Sequence, residues 1–131
     1  MKKKPLLISI FAFGILVGVL HGFAVAKSLY WVYDWFDIMM HFLGGLFVAL
    51  VGIYLYERFQ KESFFTSPPS IILFNIIIFV FIAGLLWETS ELLLGVTYTD
   101  KEMYGSDTKL DFVMNTVGAI AGYFYSKKIL I

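Results

Sequence analysis

Apolar residues run along this chain in four long blocks: Leu6 to Ala26, Phe36 to Tyr56, Ile71 to Leu94 and Leu110 to Tyr125. Each is near the roughly 20 residues a helix needs to cross a hydrocarbon core of about 30 Å. The pattern predicts an all-α protein, a four-transmembrane-helix bundle in a single membrane domain over residues 1–131, with helices at about 6–26, 36–56, 71–94 and 110–126. Ser67-Pro68-Pro69 breaks the chain between the second and third helices. No domain linker, long-period repeat or low-complexity segment interrupts the pattern.

Polar positions inside these blocks cluster at one end of each helix. Asp37 and His41 stand four apart and share a face, which Gly45, Ala49 and Gly52 continue. Glu88 and Glu91 lie three apart near the end of the third helix, about 26 Å along it from Ile71. Asp107, Asp111 and Asn115 follow at spacing four on the last helix, and Gly118 and Gly122 extend that face as a small-residue seam. His21 lies in the corresponding half of the first helix, beside a stripe of Gly14, Gly18, Gly22 and Ala26.

Composition agrees with a membrane setting. The chain is 60% hydrophobic, with a mean hydropathy of +0.81, too apolar for an ordinary soluble domain. Net charge is zero, which removes the electrostatic case for nucleic acid. There is no Cys, so disulfides, Cys-ligated zinc and thiol nucleophiles are excluded. A metal in this protein must be held by oxygen and imidazole.

Lys2, Lys3 and Lys4 before an apolar run that ends in Ala24-Val25-Ala26 also match a secretory signal peptide. Its 21 apolar residues exceed the usual 7 to 15 of such a region, and the small-residue stripe favours a retained helix.

Charge asymmetry sets an orientation. Seven Lys and Arg residues (Lys2, Lys3, Lys4, Arg58, Lys61, Lys127 and Lys128) fall on one side, and only Lys27, Lys101 and Lys109 on the other. The rule that cytoplasmic segments carry the excess places both termini inside, N-in/C-in. Eight acids then lie outside or in the outer half: Asp34, Asp37, Glu88, Glu91, Asp100, Glu102, Asp107 and Asp111. Tyr30, Trp31, Tyr33, Trp35 and Trp87 mark the outer boundary, and Tyr54, Tyr56, Tyr123 and Tyr125 the inner one.

Lipid offers these buried acids no partner, so they are expected to face the bundle interior together. One imidazole, His41, cannot offset the carboxylates of Asp37, Glu88, Glu91 and Asp111; the balance must come from protons, water or a cation. The expected metal ligands are Asp37, His41, Glu88, Asp107 and Asp111, with Asn115 and His21 lining the site. Such oxygen sites with one imidazole suit Mg, Ca, Mn, Fe or Zn. Structural alternatives exist for several of these residues. Asp37 and His41 can form an intrahelical pair, and a protonated Glu88 can hydrogen-bond His41 or Asn115 without metal. Asp107, Thr108 and Asp111 have capping-box spacing, and His21 can be a packed histidine. Asp100, Lys101 and Glu102 read as loop charges.

Three blocks together carry a family resemblance: Asp37-Ile-Met-Met-His41-Phe-Leu-Gly44-Gly45, Trp87-Glu88-Thr-Ser-Glu91, and Asp107-Thr-Lys-Leu-Asp111-Phe-Val-Met-Asn115-Thr-Val-Gly118-Ala119. Their order, over about Trp35 to Tyr125, resembles the YjdF-like and VanZ-like small bacterial membrane proteins. That resemblance implies a helical protein of the prokaryotic plasma membrane and marks Asp37, His41, Glu88, Glu91, Asp107, Asp111 and Asn115. Glu91 replaces the Gln of the VanZ form and no Arg precedes the last helix, so the chain is more similar to YjdF-like proteins.

The leading expectation is an outward-facing, carboxylate-rich cavity that binds a divalent metal. If it is an enzyme, Glu88 or Glu91 is the general base of a hydrolase acting on a lipid or lipid-linked envelope substrate. Membrane lipid is the expected surrounding, with a homo-oligomer through glycine-rich faces as a further arrangement. Two rivals use the same acids: an ion or proton transporter, which the apolar inner halves disfavour, and a non-catalytic assembly or sensor protein.

Overall fold

The computed structural model describes residues 3–60, 64–94 and 104–130, with side chains of the last stretch from 108 onward. Its elements are α1 (Lys3–Ala26), α2 (Leu29–Val32), α3 (Asp34–Phe59), α4 (Pro69–Leu94) and α5 (Tyr104–Leu130). Among the described residues there is no strand.

Local chemistry explains where these helices begin and end. Ser28, at φ 56, turns the chain after α1 and opens the single turn of α2. Asp34 and Asp37 lie in the first turn of α3 and Arg58 in its last, signs that complement the helix dipole. Pro69 opens α4, where its missing N–H has no helical role, and the Pro68 carbonyl accepts from Ile71 and Ile72. Lys127 and Lys128 close α5. That helix starts three residues before Asp107, so Asp107 belongs to its first turns and is not its cap.

Glycines decide how closely the helices approach. A Cβ on Gly45 of α3 would overlap the Asn115 backbone of α5, and one on Gly118 would overlap the Phe42 carbonyl. Gly122 would meet Ala49 and Leu46 at 3.0 Å. The seam read from Gly45, Gly118 and Gly122 is therefore a backbone-tight α3–α5 contact inside one chain. The stripe on α1 behaves differently: Gly14 meets Phe47 at 3.1 Å, whereas Gly18 and Gly22 have nothing within 4 Å among the described residues. Only the first of them serves a contact within the bundle.

The main core lies away from the acids, with Leu46, Ala49, Leu50, Ile53, Ile72, Ile76 and Tyr123 at its centre. A smaller cluster of Ala24, Phe36 and Met40 packs under α2. Ser9 ties α1 to α5 through a 2.9 Å hydrogen bond with the Tyr125 hydroxyl. Outside this interior, Phe11, Ile15, Val19, Phe74, Ile78 and Phe124 are exposed. Water is a poor neighbour for such a surface and hydrocarbon a good one.

Three helices, α1, α3 and α4, are long and apolar enough to cross a membrane. The fourth long helix, α5, has 27 residues, but Lys109, Asp111, Asn115 and its terminal lysines dilute its apolar character.

Candidate functional site

Two helical pairs face each other at one end of the bundle. Asp37 and His41 are one turn apart on α3, and Asp111 and Asn115 are one turn apart on α5. The tight α3–α5 seam brings the pairs into register. His41 Nε2 lies 3.5 Å from Asp37 Oδ1 and 3.4 Å from Asp111 Oδ2. On the other side of the ring, His41 Nδ1 is 3.2 Å from Asn115 Oδ1. The His41 and Asp111 side chains are each 12% exposed, against 41% for Asp37, so the cluster opens on the Asp37 side.

Asn115 is itself held in place by absent side chains. Gly45 abuts its backbone, and a Cβ on Gly84 of α4 would come within 3.0 Å of its Nδ2. Gly84 therefore belongs to the site although it carries no chemistry, and sequence reading passed over it. Its signal was available: Gly84, Glu88 and Glu91 share one face of α4 at spacings of four and three.

Because the Asn115 carbonyl oxygen accepts, Nδ1 of His41 carries the proton. In neutral imidazole the other nitrogen, Nε2, is then a lone pair pointing between two carboxylates. That arrangement calls for something between the lone pair and the carboxylates: a proton on the ring or on a carboxyl, a water, or a cation at Nε2. The Asp37, His41 and Asp111 ligand atoms all lie within 4.8 Å of one another.

The remaining predicted residues fall around this trio. Glu88 is buried, 8% exposed, and helix register places it at the level of Asp111, one turn beyond the Gly84–Asn115 contact. It stands outside the three-ligand group. Glu91 is half-buried, bonded to Trp87 and close enough to Glu88 and Asp37 to feel both charges. His21 does not join the trio. Its Nδ1 is 2.8 Å from the Tyr30 hydroxyl and its ring meets Trp87 edge-on at 5.6 Å. Burial pushes the Tyr30 phenol up to about 12, with the Asp37 and Glu91 charges adding to the effect. Tyr30 and Trp87 thus connect His21 to the acids, a role that a reading as boundary aromatics alone did not reveal. The Asp107 side chain, with Asp100, Lys101 and Glu102, lies outside what the structure describes.

Two surface grooves lie apart from the acid cluster. One, of about 310 Å³, runs between α4 and α5 below Gly84, lined by Phe81, Phe112, Val113, Thr116 and Val117. Thr116 bonds the Phe112 carbonyl at 2.9 Å, which leaves the groove almost wholly apolar.

Long apolar helices and an acid–imidazole cluster gathered at one end define a helical integral membrane protein with a polar site. Sequence comparison agrees and narrows the class. The chain belongs to the family of predicted membrane proteins DUF2238, which matches residues 3–129. No curated protein and no solved structure matches it.

Proposed function

We propose that this protein spans the bacterial plasma membrane four times, with both termini inside, and holds a divalent cation at its exterior end through Asp37, His41 and Asp111. A fourth crossing follows from packing. If α3 spans, α5, seamed to it from Asn115 to Gly122, spans with it. The orientation rests on the seven-to-three division of Lys and Arg. The order of the three motif blocks keeps the likeness to YjdF-like proteins as part of this reading.

The observation that carries the cation is the His41 ring. A metal-bound histidine usually donates its other N–H to an oxygen acceptor, the part Asn115 plays here. An ion with bonds of about 2.1 Å and tetrahedral angles sets its ligand atoms about 3.4 Å apart. The separations from Nε2 to the two carboxylates, 3.4 and 3.5 Å, suit that spacing. Two carboxylates and one neutral imidazole leave a fourth position open, as catalytic sites of this kind do.

On this reading the protein is a hydrolase for a lipid or lipid-linked envelope substrate. A cation held by Asp37, His41 and Asp111 would supply Lewis acidity toward water, and Glu88 or Glu91 would serve as the proton acceptor. Entry from the bilayer is supported by the apolar groove next to Gly84. Transport is disfavoured because the chain below His41 is an apolar core with backbone-tight helices. A structural network without metal remains the rival class, and thermal unfolding in detergent separates it. Chelator should lower the wild-type midpoint, added metal should restore it, and Asp37→Asn with Asp111→Asn should be indifferent to both. A wild-type midpoint insensitive to chelator and metal contradicts the proposal.

A further inference from the structure

Asn75 sits at the end of α4 opposite the acids, six residues past Pro69 and so about 9 Å along the helix. It is exposed, and its amide makes no hydrogen bond among the described residues. Other hydroxyl side chains of the long helices close locally: Thr89 bonds the Leu85 carbonyl, Ser90 that of Trp87 and Ser126 that of Gly122. An amide cannot do this as readily on a helix, and hydrocarbon offers it nothing.

Its neighbours say what does. Ile71, Ile78, Ile82 and Leu85 are 52%, 42%, 51% and 44% exposed. With Asn75 they form a row at spacings of 4, 3, 4 and 3, which is the a/d seam of a coiled coil with Asn75 at an a position. The described helices leave Ile71, Ile78, Ile82 and Leu85 exposed, and Asn75 stands at the edge of a groove toward α3 that Leu55, Tyr56 and Gln60 also line. Two copies in one membrane share an orientation, so a two-fold axis normal to the bilayer sets residue 75 opposite residue 75. One primary amide offers both donors and acceptors, and two facing amides satisfy each other. An Asn at an a position is also the residue that fixes a parallel two-stranded register.

We propose that α4 is a homodimer interface: a second copy of this chain packs its α4 in parallel along Ile71, Ile78, Ile82 and Leu85, with the two Asn75 amides hydrogen-bonded across the axis. Its Asn75 pair lies 13 residues, about 20 Å, along α4 from Glu88, and the proposal stands independently of the cation site. It also differs from the glycine-rich faces, of which the α3 and α5 ones are consumed within the chain.

The natural absence of Cys makes the test direct. Ile78→Cys and Ile82→Cys, oxidised in native membranes, should each give a disulfide-linked dimer. Val19→Cys, exposed on α1, should not. Adding Asn75→Leu to Ile78→Cys should cut the dimer about tenfold, an apolar change that lipid tolerates well. Asn75→Gln, which keeps the amide, should restore most of it. Monomer at both α4 positions, equal dimer at Val19→Cys, an adduct to a different protein instead of a self-dimer, or dimer yield unchanged by Asn75→Leu would each overturn the proposal.

Discussion

His41 shows how much a single side chain's surroundings can determine. Its Nδ1 proton is committed to Asn115, so the charge state of the site rests on Nε2 and the carboxylates of Asp37 and Asp111. Tyr30 carries the pH dependence that can be read from outside the spans. Its phenol is raised from 10.0 to about 12, so the folded protein keeps the proton that the unfolded chain loses first. That contribution to stability is complete below pH 10 and declines as pH rises from 10 toward 12. Difference absorbance against Tyr30→Phe should place its ionisation near the upper value; ionisation near pH 10 would contradict the described burial. Tyr123 tests the opposite situation. Its hydroxyl is buried with no hydrogen-bond partner among the described residues. An orphaned buried group costs about 1–3 kcal/mol, so Tyr123→Phe should unfold at the wild-type temperature or above it.

Among the helices, the glycines divide into those that set a contact and those that do not. Gly118→Ala drives a methyl into the Phe42 carbonyl across the α3–α5 seam and should cost about 1–3 kcal/mol. Gly18→Ala meets nothing and should be neutral or slightly stabilising. Thermal unfolding of both variants in the same detergent compares them; equal losses would mean the seam is not where the structure puts it. This division also marks what the sequence could tell. Three helices were legible within a few residues because apolar length and Pro69 define them. The early start of α5 was not: Asp107, Thr108 and Asp111 have capping-box spacing ahead of a helix expected from about 110, yet the helix already runs from Tyr104. The α1 stripe had the same spacing as the working seam, and spacing alone cannot say whether a partner lies opposite. In the site, i, i+4 spacing was enough to find Asp37 with His41 and Asp111 with Asn115. Which nitrogen each faces depends on the α3–α5 register, which spacing along one helix does not fix. His21 fell into a separate group because Tyr30 and Trp87, not the acids, are its immediate neighbours.

At the scale of the whole molecule, the proposed orientation places the acid cluster at the exterior end and the Asn75 seam toward the interior. Lys27 and Gln60 are both exposed, at opposite ends of the bundle. With single cysteines at these positions, an impermeant maleimide added to intact cells should label 27 and spare 60; the reverse pattern would invert the protein and put its site in the cytoplasm. The central claim concerns the cation. Elemental analysis of protein purified without added metal should find about one divalent ion per chain, as expected for a single three-ligand site. That ion should be lost in Asp37→Asn with Asp111→Asn and kept in Glu88→Gln. A metal-free wild type that takes up none on titration, or full occupancy in the double variant, would contradict it.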